Sequence, residues 1–178
     1  MDIDGSSPKQ LTNGSGENCP HFTPTGDWVV YNSFSGKVVL WKVPINGGNP
    51  VQLTDEPSWY PVISPDGKLI ACNYYDEHLG WRIAIIPFAG GQPAKLFGIV
   101  TSFFSWTPDG RALAYLDPPG FLNIRSQPID SQPSRQLTDF TSDRIFSFAW
   151  SRNGKQLALA RGTLTNDVVL ISGFREQK

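Results

Sequence analysis

The chain repeats itself. Leu-Thr-Asp, a spacer, an apolar run, a polar turn ending in glycine and a second apolar run occur in LTDEPSWYPVISPDGKLIACN (Leu53–Asn73). The same layout returns in LTDFTSDRIFSFAWSRNGKQLALA (Leu137–Ala160). Two weaker copies fill the remainder, one ahead of the first strong copy and one between the two. The turn glycines Gly26, Gly67, Gly110 and Gly154 stand 41, 43 and 44 residues apart. A unit this short cannot bury an apolar face alone, so neighbouring units must stack. A period in the low forties is that of four-stranded sheets set around an axis.

Each repeat reads as strands. A large apolar residue stands four places before each turn glycine: Phe22, Ile63, Trp106 and Trp150. These belong to the strands expected innermost, at the axis. After the glycine come the β-rich runs DWVVYNS, KLIACNY, RALAYLD and KQLALAR, then the third runs KVVLWKVPI, WRIAIIPF, FLNIRSQPI and NDVVLISGF. Gly47-Gly48 and Gly90-Gly91 then turn the chain into a fourth run ending in QLT or KLF. In SPDG (Ser64–Gly67) and TPDG (Thr107–Gly110), proline fixes φ, aspartate bonds nearby backbone and glycine accepts positive φ. TPTG and SRNG are degraded copies. Glycine and proline recur along most of the chain, and almost no helix is expected. The expectation is one all-β domain over residues 1–178, a β-propeller of four blades with four antiparallel strands each.

Charge narrows the function classes. Sixteen acidic residues face 15 basic ones, with no block of like charge. A groove that works by neutralising phosphates is disfavoured, so no nucleic-acid partner is expected. No apolar stretch approaches a membrane span. The opening MDIDGSSPKQ has neither the basic nor the apolar region of a secretory signal, and the compartment stays unknown. Cys19 and Cys72 do not make a disulfide framework and read as small buried residues.

At SPDGKLIA and QLTD the sequence resembles the TolB-like propeller repeat, a relative of the WD-type blade. Repeat two carries the pattern nearly throughout, in Leu53, Thr54, Pro61, Ser64, Pro65, Asp66, Gly67, Lys68, Gly90 and Gly91. Repeat three keeps Pro108, Asp109 and Gly110 but has Leu96-Phe97 in place of Leu-Thr. Repeat four keeps Leu137, Thr138 and Asp139 but has Arg152-Asn153 in its turn, and repeat one has Thr25 where Asp is usual. The resemblance covers essentially the whole chain and speaks for fold more than function. Such repeats occur in TolB, in propellers of prolyl-oligopeptidase-type peptidases, and at the C-terminus of bacterial Ser/Thr kinases and regulators. The family implies that the strand before the Pro-Asp-Gly turn is innermost and the Leu-Thr strand outermost. Residues 7–13 are then expected to complete the blade begun by residues 145–174, closing the ring and covering an open strand edge. TolB-like rings normally have six blades and this chain supplies four repeats. A self-closed monomer is favoured. A larger homodimeric ring and an open piece of a six-bladed parent are the alternatives.

Little catalytic chemistry is visible. Asp66 and Asp109 read as turn formers. Cys19 and His21, two apart on an expected strand, face one way but are too few for a metal. His78 reads as a solvated histidine. Asp55, Asp139 and Asp143 precede expected innermost strands, toward one end of the ring, and Asp55 and Asp139 occupy equivalent positions beside Leu-Thr, which suits a capping role. No kinase signature and no Gly-x-Ser-x-Gly elbow is present. No catalytic residue, cofactor or metal is expected. YYDEHLGW (Tyr74–Trp81) and PSWYP (Pro57–Pro61) are rich in aromatics at expected loop positions. Trp59, Tyr60 and Trp81 are the candidate binding face for a protein or peptide partner. The expected function is that of a non-catalytic binding or scaffold module. The competing readings are a hydrolase or lyase acting at the central opening, and the sensor propeller of a larger signalling enzyme.

Overall fold

The computed structural model describes residues 6–14, 16–151, 153–167 and 170. Fourteen strands and no helix occur among them. The first sheet runs β1 (Glu17–Phe22), β2 (Trp28–Ser33), β3 (Val39–Pro44), β4 (Val51–Gln52). The second runs β5 (Ser58–Ile63), β6 (Leu69–Asp76), β7 (Gly80–Pro87), β8 (Lys95–Phe97). The third runs β9 (Phe104–Trp106), β10 (Ala112–Leu116), β11 (Ile124–Pro128), β12 (Arg135–Gln136). The fourth holds β13 (Arg144–Trp150) and β14 (Leu157–Gly162). All pairings are antiparallel and follow chain order. The edge strands β1, β5 and β9 approach one another, so the strand before each turn is the inner one, as expected.

The four turns are built alike. In the second, Gly67 N–H donates to Ser64 O (2.9 Å), while Ser64 Oγ accepts from Leu69 N (2.9 Å). Thr23, Thr107 and Ser151 make the same pair of bonds, to Gly26 and Trp28, Gly110 and Ala112, and Gly154 and Gln156. All four glycines have φ between 68° and 78°, where a side chain would be strained. A Cβ on Gly67, Gly110 or Gly154 would meet Pro24, Pro65 or Pro108, the proline of the preceding turn. The turns therefore stack in series.

QLT and its acidic neighbour form a second repeated device. Gln52 Nε2 donates to Thr54 O (2.8 Å) and Asp55 Oδ1 (3.2 Å), and Gln136 does the same to Thr138 O (2.7 Å) and Asp139 Oδ1 (3.4 Å). Thr54 Oγ1 accepts from Leu40 N and Thr138 Oγ1 from Ile124 N, fixing the outer strand to its neighbour. Asp55 and Asp139 thus serve structure. Gln10 bonds Thr12 O and Asn13 Oδ1 in the same way.

One rule governs sheet-on-sheet packing. The residues three and five places after a turn glycine face the preceding sheet, and those four and six places after face the next. Val30 and Leu40 pack on Ile63, Ile70 and Cys72; Ala71 and Ile83 on Trp106, Leu113 and Tyr115; Ala114 and Leu116 on Trp150, Leu157 and Leu159. The large residue four places before the turn glycine belongs to these interfaces in the second, third and fourth sheets. Trp106 is 4% exposed and its Nε1 donates to Val62 O (2.9 Å). Phe22 occupies the same place on the first sheet, which has no preceding sheet, and is 60% exposed.

Residues 7–13 form no strand, and Leu11 packs on the first sheet against Val29, Tyr31 and Val43. Among the described residues no core cluster joins the fourth sheet to the first, and the fourth sheet has two strands rather than four. The third strand expected in repeat four lies mostly outside the described residues, and its positions 166–167 are not strand.

Candidate functional site

Each sheet has a turn end and a loop end. Antiparallel register brings the start of the inner strand and the loop after the next strand to the same end: Glu17 opposes Ser33, Ser58 opposes Tyr74 and Arg144 opposes Gly162. On the second sheet this end gathers aromatic rings. Trp59 and Trp81 stack at 5.1 Å between centroids with 13° between planes. Tyr60 lies 5.8 Å from Trp59, and Tyr75 meets Trp81 edge-on at 5.5 Å. The three residues expected as a binding face, 22 positions apart at their extremes, are therefore neighbours.

The backbone explains the arrangement. Trp59 opposes Asn73 across β5–β6, and Tyr75 opposes Trp81 across β6–β7. Asn73 and Tyr75 are two apart on one strand, so these pairs share a face. A bulge interrupts β5 between Trp59 and Val62, with Tyr60 at φ 54°. The extra residue breaks alternation, which leaves Tyr60 42% exposed beside Trp59 instead of on the opposite face. Cys19, at the equivalent place of repeat one, has φ 51° within a bulge between Asn18 and His21. Strict alternation thus fails there, contrary to the expectation that Cys19 and His21 face one way.

The strand β9 has three residues where β5 has six, so it does not cover the loop end of the second sheet. A groove of about 270 Å³ remains, lined by Trp59, Asn73, Trp81, Val100, Thr101 and Ser102. Asn73 is 4% exposed, and among the described residues its only side-chain bond is from Nδ2 to Ser102 Oγ at 3.4 Å. Tyr75 falls within the aromatic-rich YYDEHLGW stretch, whereas Asn73 and residues 100–102 were not candidates, since only sheet stacking brings the second and third repeats together here. Further exposed apolar residues continue across this end, including Val100 and Phe103. Phe103 meets Phe121 edge-on at 5.9 Å, and Arg144 lies over Phe121.

The titratable groups are placed as follows. Hydrogen bonds from Ser64 and Thr107, then from Lys68 N and Arg111 N, hold the Asp66 and Asp109 carboxyls below the usual range, consistent with turn formers. Burial pushes the Cys72 thiol up to about 12. Burial also raises Cys19 and lowers His21. Both cysteines are free, with Cys72 buried and Cys19 only half-buried. His78 Nε2 lies 3.1 Å from Glu77 Oε1, both side chains fully in solvent. Asp143 lies 4.0 Å from Arg161. Among the described residues no group of three potential metal ligands occurs, and no helix is long and apolar enough to cross a membrane.

No family model and no curated protein matches the chain. Solved structures do. A protein described as TolB from Agrobacterium tumefaciens aligns with a TM-score of 0.65 at 26% identity, over 79% of this chain and 52% of its own. TolB from Acinetobacter baumannii aligns at 0.70 with 22% identity, over 89% of this chain and 41% of its own. The fold is that of a TolB-like propeller. The chain spans about half the length of these relatives or less. In TolB-like terms the sheets are blades, and the aromatic cluster and groove lie where the second and third blades meet at the loop end.

Proposed function

We propose that the chain is a non-catalytic binding module whose partner, a protein or peptide, docks on the loop end of the second blade. The carrying observation is the Trp59–Trp81 stack flanked by Tyr60 and Tyr75. Rings of this kind bring large contact area with few torsions to immobilise, which is why they dominate binding hot spots. The stack is held by cross-strand pairs, so the surface is pre-formed and little ordering cost falls on association. The similarity to TolB structures supports a propeller used for binding. The reading needs no closed ring, because every residue it uses lies on the second and third blades. A pull-down comparing wild type with the Trp59→Ala, Trp81→Ala double variant tests it. Loss of the retained partner is expected; equal retention by the two proteins overturns the reading.

A further inference from the structure

We propose that a cavity on the third blade is the seat of Phe174, and that residues 168–174 dock beside it as the third strand of the fourth blade. The seat lies at the turn end, so the inference stands apart from the binding face. Of residues 168–174 only Leu170 is described.

A device repeated three times carries it. The third runs end in an apolar residue: Ile45, Phe88 and Ile129. Each donates its N–H to the carbonyl of the residue directly after the turn glycine, which is Asp27, Lys68 and Arg111 in turn. Each also has its own carbonyl bonded by a lysine from the preceding side. Lys9 donates to Ile45 O, Lys42 to Phe88 O and Lys95 to Ile129 O. The side chains of Phe88 and Ile129 pack on the preceding blade. Phe88 meets Trp28 edge-on at 6.2 Å, with Lys42 Nζ 4.2 Å from its ring centre.

The fourth repeat has the same parts with the seat uncovered. Its third run, NDVVLISGF, ends in Phe174. From the end of β14 at Gly162 to Phe174 is 12 residues, as from Ser33 to Ile45 and from Asp76 to Phe88, so the segment has the right reach. On the third blade a cavity of about 320 Å³ remains, lined by Ala112, Ser126, Pro128 and Arg135 together with Asp109, Arg111 and Asp130. Ala112 stands two places after its turn glycine, as Trp28 does on the first blade, and its smaller side chain leaves room for a phenyl ring. Arg135 opposes Ser126 as Lys95 opposes Ile85, so it is placed to bond the Phe174 carbonyl. Among the described residues its side chain makes no hydrogen bond or ion pair. Two further facts favour a strand as the occupant. Among the described residues β14 pairs only with β13, which leaves its other edge open, and Leu170 is 90% exposed. Docking covers the edge and buries the leucine.

The test is hydrogen exchange of the full chain, read by mass spectrometry on peptides from residues 163–178, with the synthetic peptide 163–178 as reference. Amides of residues 168–174 are expected to exchange at least about a hundredfold more slowly in the protein than in the free peptide. Phe174→Asp should remove most of that protection and leave the first three blades unchanged. Arg135→Ala should reduce it by about tenfold. Wild-type exchange at the free-peptide rate overturns the proposal, and so does protection that survives Phe174→Asp. Unchanged exchange in Arg135→Ala overturns the arginine bond. Light scattering on the same sample identifies whose segment fills the seat. A monomer is expected; protection found only in a dimer gives the seat to a second copy and overturns docking within one chain.

Discussion

At the turn end of the blades, Thr23, Ser64, Thr107 and Ser151 make the same pair of bonds four times. At the loop end the bulge at Cys19 recurs at Tyr60, but the loops themselves differ. The loop after β2 carries the exposed Phe34, the β6–β7 loop is flanked by Tyr75 and Trp81 on its two strands, and the loop after β10 carries Phe121. The difference separates two kinds of requirement. The turn end must stack blade on blade, so each copy has to fit the one before it. The loop end faces outward, where rings and polar groups vary without loss of fold. Aromatic residues at the two ends should therefore answer differently to truncation.

The largest effect is expected at Trp106. Its ring fills the interface of the second and third blades and its Nε1–H bonds Val62 O. Trp106→Ala should cost about 3–5 kcal/mol, read by denaturant unfolding. Phe22→Ala, at the same repeat position but exposed, should stay within about 0.5 kcal/mol. A large cost at Phe22 would mean that a blade covers it in solution and that the ring closes.

The turn glycines give a graded series. Gly26→Ala adds only the strain of positive φ, about 1–2 kcal/mol, because nothing lies within 4 Å of its would-be Cβ. Gly110→Ala adds an ordinary contact with Pro65 at 3.5 Å, and Gly154→Ala a clash with Pro108 Cβ at 2.6 Å. Thermal melts should rank Gly154→Ala lowest, Gly110→Ala next and Gly26→Ala highest. Gly98→Ala, without positive φ and in open space, should melt like wild type. A reversed order would break the idea that successive turns stack.

A smaller effect attaches to the turn carboxylates. Asp66 and Asp109 have depressed folded pKa values, so their contribution is present above the unfolded value near ~4 and is lost as pH falls through the folded one. The melting gap between wild type and the Asp66→Ala, Asp109→Ala variant should be open at neutral pH and narrow in acid. Both groups are largely solvated, so the gap is modest. A gap that widened on acidification would contradict the hydrogen-bond cause.

These cases also show what could be read from the amino-acid order. Ser-Pro-Asp-Gly encodes its turn locally, so the turns, the strand order within sheets and the outer strands of the first three sheets were legible, while the outer strand expected over residues 7–13 does not form. The large residue before each turn was legible as a position on the inner strand, but the sheet it packs on was not, because that depends on how two repeats stack. The bulges at Cys19 and Tyr60 carried no signal, since neither residue type favours positive φ. Trp59 and Trp81 were legible as candidates by type and position. Their groove was not, because Asn73 and Thr101 meet only through stacking of two blades.

A small effect on folding, and the sharpest division between the two ends, is expected at Tyr60. Its ring is outside every core cluster, and its backbone already holds φ 54°. Tyr60→Gly removes the ring and relieves that strain at once, so stability should shift by no more than about 0.5–1 kcal/mol in either direction. Partner retention should fall nonetheless, because the ring is the most exposed member of the cluster with Trp59. The buried turn-end ring of Trp106 behaves the other way round, with large loss of stability and no separate effect on binding. If Tyr60→Gly destabilised the protein as Trp106→Ala does, the loop end would be part of the blade core after all. The distinction between a stacking end and a docking end would then fail at the residue chosen to display it.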